Sequence, residues 1–217
     1  MAEDQSYPRV KKFFFLFIFI LSFSKANSEN FKFIKIANLN NPWGSSFLNN
    51  DEMIITEKSG LIKIVNIINN QVNDVEHNLN FLEDGQGGLL DILHQENKVW
   101  ISYTENRGNR KTSTSIALAN LDKKNLVFKN IFQANPPINS GYHFGSRLAI
   151  KDNYLYASAG ERGKGMIAQD ASKHPGSIIR IHLDGSIPKD NPKFEGKPKW
   201  LPAVSYTHLT LPTIGCV

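Results

Sequence analysis

No stretch of ten or more residues in this 217-residue chain places apolar side chains at the 3.6-residue period of a packed helix. Short runs rich in β-branched and aromatic residues take their place, separated by Asn, Asp, Gly and Lys, as in an all-β protein. The pattern predicts strands over Gly44–Leu48, Met53–Glu57, Leu61–Asn66, Leu89–Leu93, Lys98–Thr104, Thr114–Leu121, Leu126–Ala134, Arg147–Ile150, Tyr154–Ser158 and Ser177–Leu183. Asn49-Asn50-Asp51, Asn69-Asn70, Glu96-Asn97, Asp122–Asn125 and Asp152-Asn153 supply tight turns between them, because Asn and Asp tolerate left-handed backbone and bond their own main chain.

These runs recur as a unit. Strand, polar turn and strand end in Thr56-Glu57, again in Thr104-Glu105 and again in Gly160-Glu161, so the three glutamates stand 48 and then 56 residues apart. A period of about 40–50 residues with three or four short strands is that of propeller blades, small sheets that bury their faces only by stacking around an axis. A β-sandwich also has short, regular strands but does not explain a recurring unit of this length. Residues 29–203 hold about three to four such units, whereas closure of a ring takes about four to eight. The expectation is therefore the N-terminal part of a propeller. Alone, such an arc leaves strand edges unpaired and is expected to be unstable.

The chain start reads as an export signal over residues 1–28. Arg9, Lys11 and Lys12 form a basic lead, Phe13 to Phe23 an apolar run, and Ala26-Asn27-Ser28 a small-x-small cleavage site. That run is shorter than the roughly 20 apolar residues a spanning helix needs. The net charge of +5 is scattered along the chain, without the basic face that nucleic-acid binding requires. The single cysteine, Cys216, leaves a body suited to an oxidising compartment and excludes a disulfide scaffold. A periplasmic or secreted protein follows. Residues 204–217 lack charge and Asn, unlike the preceding chain, and read as a non-native tail left by truncation.

Motifs narrow the chemistry. There is no Gly-x-Gly-x-x-Gly, no phosphate-binding Gly-Lys-Ser/Thr loop, no Cys-x-x-Cys, no Gly-x-Ser-x-Gly, and the six histidines lack metal-ligand spacing. Two segments concentrate unusual residues. In Glu83 to Asp91, three glycines surround Gln86, a tight turn where backbone passes close to something and where a neutral amide could meet a sugar hydroxyl. In Ser140 to Leu148, His143 sits among aromatics and glycines at the start of a strand, placed either as a base near neutral pH or as a histidine satisfied by the core. Arg147 could pair with an anion or with an acid of the next blade, and residues 161–176 form a long polar loop.

In order, the chain carries Pro42-Trp43-Gly44, Gly85-Gln86-Gly87-Gly88-Leu89-Leu90-Asp91, His143-Phe144-Gly145-Ser146-Arg147-Leu148 and Gly160-Glu161-Arg162-Gly163. Ala168-Gln169-Asp170 and Gly176 to Ile181 follow, with Asp184 to Pro192 after them. From Ile36 to Pro202 this series resembles the soluble glucose/sorbosone dehydrogenase family of quinoproteins. The resemblance implies a six-bladed β-propeller that holds pyrroloquinoline quinone with calcium beside it. It further implies oxidation of the C1 hydroxyl of an aldose to a lactone, with hydride passing to the quinone and the quinone's electrons then passing to an acceptor that the resemblance does not specify. His143 matches the catalytic base beside the cofactor, Gln86 and Tyr142 match substrate contacts, and Arg147 matches no firm contact. After a stretch like Lys197 to Pro202 the family continues with a Gly-His-Arg-Asn segment, of which Val204 to His208 is only an echo. The calcium ligands, and the cations for the quinone carboxylates, are expected in later blades. The competing reading is a non-catalytic secreted propeller that binds carbohydrate or a protein.

Overall fold

A computed structural model describes residues 32–191 and the backbone of the short strand at 203–204. The export signal expected at 1–28 and nearly all of the tail expected at 204–217 lie outside the described residues.

Three antiparallel sheets follow one another along the chain. The first contains β1 (Pro42–Phe47), β2 (Glu52–Glu57), β3 (Leu61–Asn66) and β4 (Val72–His77). The second contains β5 (Leu89–Gln95), β6 (Lys98–Asn106), β7 (Thr112–Asn120) and β9 (Lys129–Gln133), and β8 (Asn125–Leu126) reaches back to pair parallel with β4. The third contains β10 (Gly145–Lys151), β11 (Tyr154–Ala159), β12 (Ser177–His182) and β13 (Ala203–Val204). A five-residue 3-10 turn, Gly165–Gln169, is the sole helical segment among the described residues. Each predicted run falls on one of these strands, except that the run 126–134 divides between β8 and β9, and β4 was not expected.

Alternation along β6 explains the stacking. Val99, Ile101 and Tyr103 face the first sheet and pack with Ile54, Ile62, Ile64 and Val75. Trp100 faces the third and packs with Leu148, Leu155, Ala157, Ile179 and Ile181. The middle sheet is thus covered on both faces, and β6 is buried along almost its whole length. Each fully buried aliphatic side chain contributes roughly 1.5–3 kcal/mol. β1, β5 and β10 lie side by side as the innermost strand of each sheet. This is the radial arrangement of propeller blades, and three of them are described.

Hydroxyls on the second strands of the first and second blades join each blade to the next. Each inner strand carries an irregularity, between Pro42 and Gly44, Leu89 and Ile92, and Gly145 and Leu148. At those points Thr56, Ser102 and Ser158 accept from the backbone N–H groups of Gly44, Asp91 and Arg147. Thr56 then donates to Leu90 O of the second blade, and Ser102 donates to Ser146 O of the third at 2.6 Å. The structural repeat therefore runs through residues 56, 102 and 158. Glu57 lies next to its hydroxyl, but Glu105 and Glu161 stand three residues beyond theirs, so the glutamate spacing found the unit with a two-residue slip at its first member.

Candidate active site

All inner strands run the same way, so the connections entering β5 and β10 and the one joining β11 to β12 share one end of the blades, the long-loop end, opposite the hairpins that follow β1, β5 and β10 at the hairpin end. Gln86 lies between β4 and β5, Tyr142 and His143 between β9 and β10, and Glu161 and Arg162 between β11 and β12, all at the long-loop end. Gly85 has φ +57°, and a Cβ there would collide with Gly141 O. The two loops meet backbone to backbone, which is the close approach the glycines around Gln86 predicted. Gln86 N donates to Gly141 O at 2.7 Å, and His143 N donates to Gln86 Oε1 at 2.8 Å.

His143 itself has φ +52°, an uncommon conformation that costs a side-chain-bearing residue about 1–2 kcal/mol. The neighbouring loop holds it there: Arg162 N donates to His143 O at 3.3 Å, and Gly160 N donates to Phe144 O at 2.9 Å. A Cβ on Gly160 would overlap His143 O, so only glycine admits this contact. The imidazole Nδ1 forms a short hydrogen bond with Glu161 Oε1, and Glu161 Oε2 accepts from Gly163 N. In the tautomer that donates Nδ1–H to the carboxylate, Nε2 keeps its lone pair on a half-exposed ring. The Tyr142 ring stands edge-on to the imidazole at 6.3 Å and is 62% exposed.

The sequence-predicted residues Gln86, Tyr142 and His143 are therefore brought together. Glu161 marks the repeat and falls within a motif in the sequence, and in the fold it supplies the carboxylate that meets the ring. Arg147 pairs with Asp91 of the preceding blade at 3.2 Å, and Asp91 also accepts Leu148 N at 2.8 Å. Arg162 is buried under the loop that carries His143, and burial brings its guanidinium down to about 10. A cleft of about 260 Å³ lined by Trp100, Leu118, Asn153 and Leu183 lies at the opposite, hairpin end and includes none of these groups. Among the described residues, no cluster of three or more His, Cys, Asp or Glu could hold a metal ion.

Radially stacked four-stranded sheets define a β-propeller, here with an imidazole–carboxylate pair on its loop face. The chain belongs to the glucose/sorbosone dehydrogenase family, whose model matches residues 39–208. It is 31% identical over 164 residues to aldose sugar dehydrogenase YliI of Escherichia coli, a match covering 71% of this chain and 44% of that protein. It is 28% identical over 218 residues to quinoprotein glucose dehydrogenase B of Acinetobacter calcoaceticus, covering 80% and 44%. The apo crystal structure of the soluble E. coli aldose sugar dehydrogenase superposes with a TM-score of 0.70 at 29% identity, over 75% of this chain and 50% of that one. The chain thus spans about half the length of these relatives.

Proposed function

We propose that this chain carries the base-bearing part of an active site that oxidises the C1 hydroxyl of an aldose to a lactone. The observation that supports this most directly is the Glu161–His143 pair with Nε2 left open. Pyrroloquinoline quinone, when bound, would supply the acceptor for the C1 hydrogen, taken as hydride. The chain's own residues do the rest. His143 Nε2 takes the hydroxyl proton, and Glu161 balances the charge that then forms on the ring. Proton and hydride together leave C1 as the carbonyl of the lactone, which water later opens to the aldonic acid. Gln86 spends its carbonyl oxygen on His143 N, so its NH2 group remains to meet a sugar hydroxyl, with the exposed Tyr142 ring beside it.

The donor set fits the sugar-facing side of such a cofactor: an open imidazole nitrogen, an amide and a phenol on one rim. Arg162 is turned beneath the loop and does not reach this rim, and the cations for the quinone carboxylates and the calcium ligands are expected in later blades of the whole protein. The leader at 1–28 supports export to the periplasm, and no helix among the described residues is long and apolar enough to cross a membrane. The test is reduction of an artificial dye by the full-length protein supplied with quinone, calcium and aldose. His143→Ala is expected to lose about 10³-fold in turnover while still binding quinone. Undiminished turnover in that variant overturns the assignment.

A further inference from the structure

Consecutive residues at the end of β11 send their side chains to opposite sides of the same loop. Glu161 reaches the imidazole of His143 from the exposed side. Arg162, with φ +60°, turns underneath and is 2% exposed. Its Nε donates to Tyr142 O at 3.1 Å, Nη1 to Thr112 O at 3.2 Å, and Nη2 to Thr112 Oγ1 at 2.7 Å and to Ser140 O. The guanidinium plane lies 3.6 Å from the centroid of the buried Phe144 ring. Among the described residues no carboxylate lies within ion-pair distance of it, Asp84 and Glu161 acting on its charge only from farther away, and all four acceptors are neutral oxygens, three of them backbone carbonyls.

A charge buried in this way is costly, and neutral acceptors repay less than a carboxylate does. A purely structural link between blades is made more cheaply by hydroxyls, as Thr56 and Ser102 do. What the guanidinium adds is geometry, because its planar fork can hold several carbonyls at fixed angles and a lysine cannot. The carbonyls it holds belong to Ser140 and Tyr142, on either side of Gly141 and directly before His143. Its own backbone N–H bonds His143 O, and its neighbour is the carboxylate that orients His143.

Resting on the base assignment above, we propose that Arg162 is a positioning residue for the reaction. It locks the 140–144 loop to β7 and to Glu161, so that the imidazole meets its carboxylate in one orientation and one tautomer. Catalytic geometry of this kind is demanding, and a misplacement of about 1 Å can cost on the order of 10²-fold in rate.

The test uses the full-length protein with Arg162→Met, which keeps bulk without donors, and Arg162→Lys, which keeps charge without the fork. Two measurements are made on each. In ¹⁵N NMR of the neutral imidazole, the unaltered protein shows the Nδ1–H form of His143, and both variants are expected to show a mixture of tautomers. In dye-reduction assays, turnover is expected to fall about 10²-fold, with KM changed by less than about threefold. A folded variant that keeps the single tautomer overturns the proposal, whatever its activity. If Arg162→Met fails to fold, Arg162→Lys decides: wild-type turnover and tautomer there overturn the proposal. Failure of the base assignment is distinguishable, because it shows as full activity in His143→Ala with the tautomer result unaffected.

Discussion

The two ends of the blades are built from the same strands and could hardly differ more. At the hairpin end, Asp152 and Asn153 turn β10 into β11 in two residues, with φ +52° and +63°, using side chains that accept this backbone readily. At the loop end, the connections before β5 and β10 and after β11 interlock through Gly85, Gly160, Gln86 and a buried arginine. The hairpin end obeys local rules and can be altered locally. The loop end holds a left-handed histidine, a buried cation and backbone-to-backbone contacts, all supported by residues distant in sequence. Rigid strands make such a concentration of unfavourable local choices tolerable, which is why chemistry collects on one face of the fold.

That contrast can be broken by substitution. Gly160→Ala drives a methyl into His143 O and is expected to cost about 3–5 kcal/mol, read as a large fall in the urea midpoint, with loss of activity in whatever still folds. An acid titration should be the next largest effect. His174, in the same loop region, is 3% exposed, and its Nδ1 accepts Asn135 N at 2.8 Å. Burial depresses it from the ordinary 6.5 to about 4. The unfolded chain therefore takes up a proton below pH 6.5 that the folded chain refuses until about pH 4. Stability present above that window is lost as pH falls through it, by on the order of 3 kcal/mol in all. Chemical denaturation at pH 7, 5.5 and 4 measures this, and His174→Gln should flatten the dependence. An unchanged slope in that variant would remove His174 from the explanation. At the hairpin end, Asn153→Gly is expected to change stability by less than about 0.5 kcal/mol and to leave turnover alone. A loss as large as that of Gly160→Ala would erase the distinction between the ends.

The same division governs what could be read from the sequence. Strands whose alternation is local were legible: β1, β2, β3, β5, β6, β7, β10, β11 and β12 lie within two residues of their predicted bounds. Strand β4 was missed because Asn73, Asp74 and Glu76 give it the composition of a turn, and in the fold only Val75 is buried. The run 126–134 was read as one strand because nothing in its period says that Leu126 belongs to the first blade and residues 129–133 to the second. The linking hydroxyls were hidden because serine and threonine are common and the repeat shifts between blades. At the site, Gln86 and His143 announced themselves by their unusual glycine-rich surroundings. Glu161 and Arg162 did not, because their roles depend on partners 18, 20 and 50 residues away that only the stacking of the blades brings near.

If Glu161 and His143 act as one unit in removing the sugar proton, a double-substitution cycle reads their coupling. Turnover of the full-length, quinone-loaded protein is measured for His143→Ala, Glu161→Gln and the pair together. Glu161→Gln alone should cost about 10²-fold, as loss of an orienting carboxylate does elsewhere by that much or more. In the His143→Ala background it should cost less than about twofold, because the carboxylate has nothing left to orient. Losses that multiply in the double variant would show that Glu161 works independently of His143, and the assignment of the pair as the base would be contradicted.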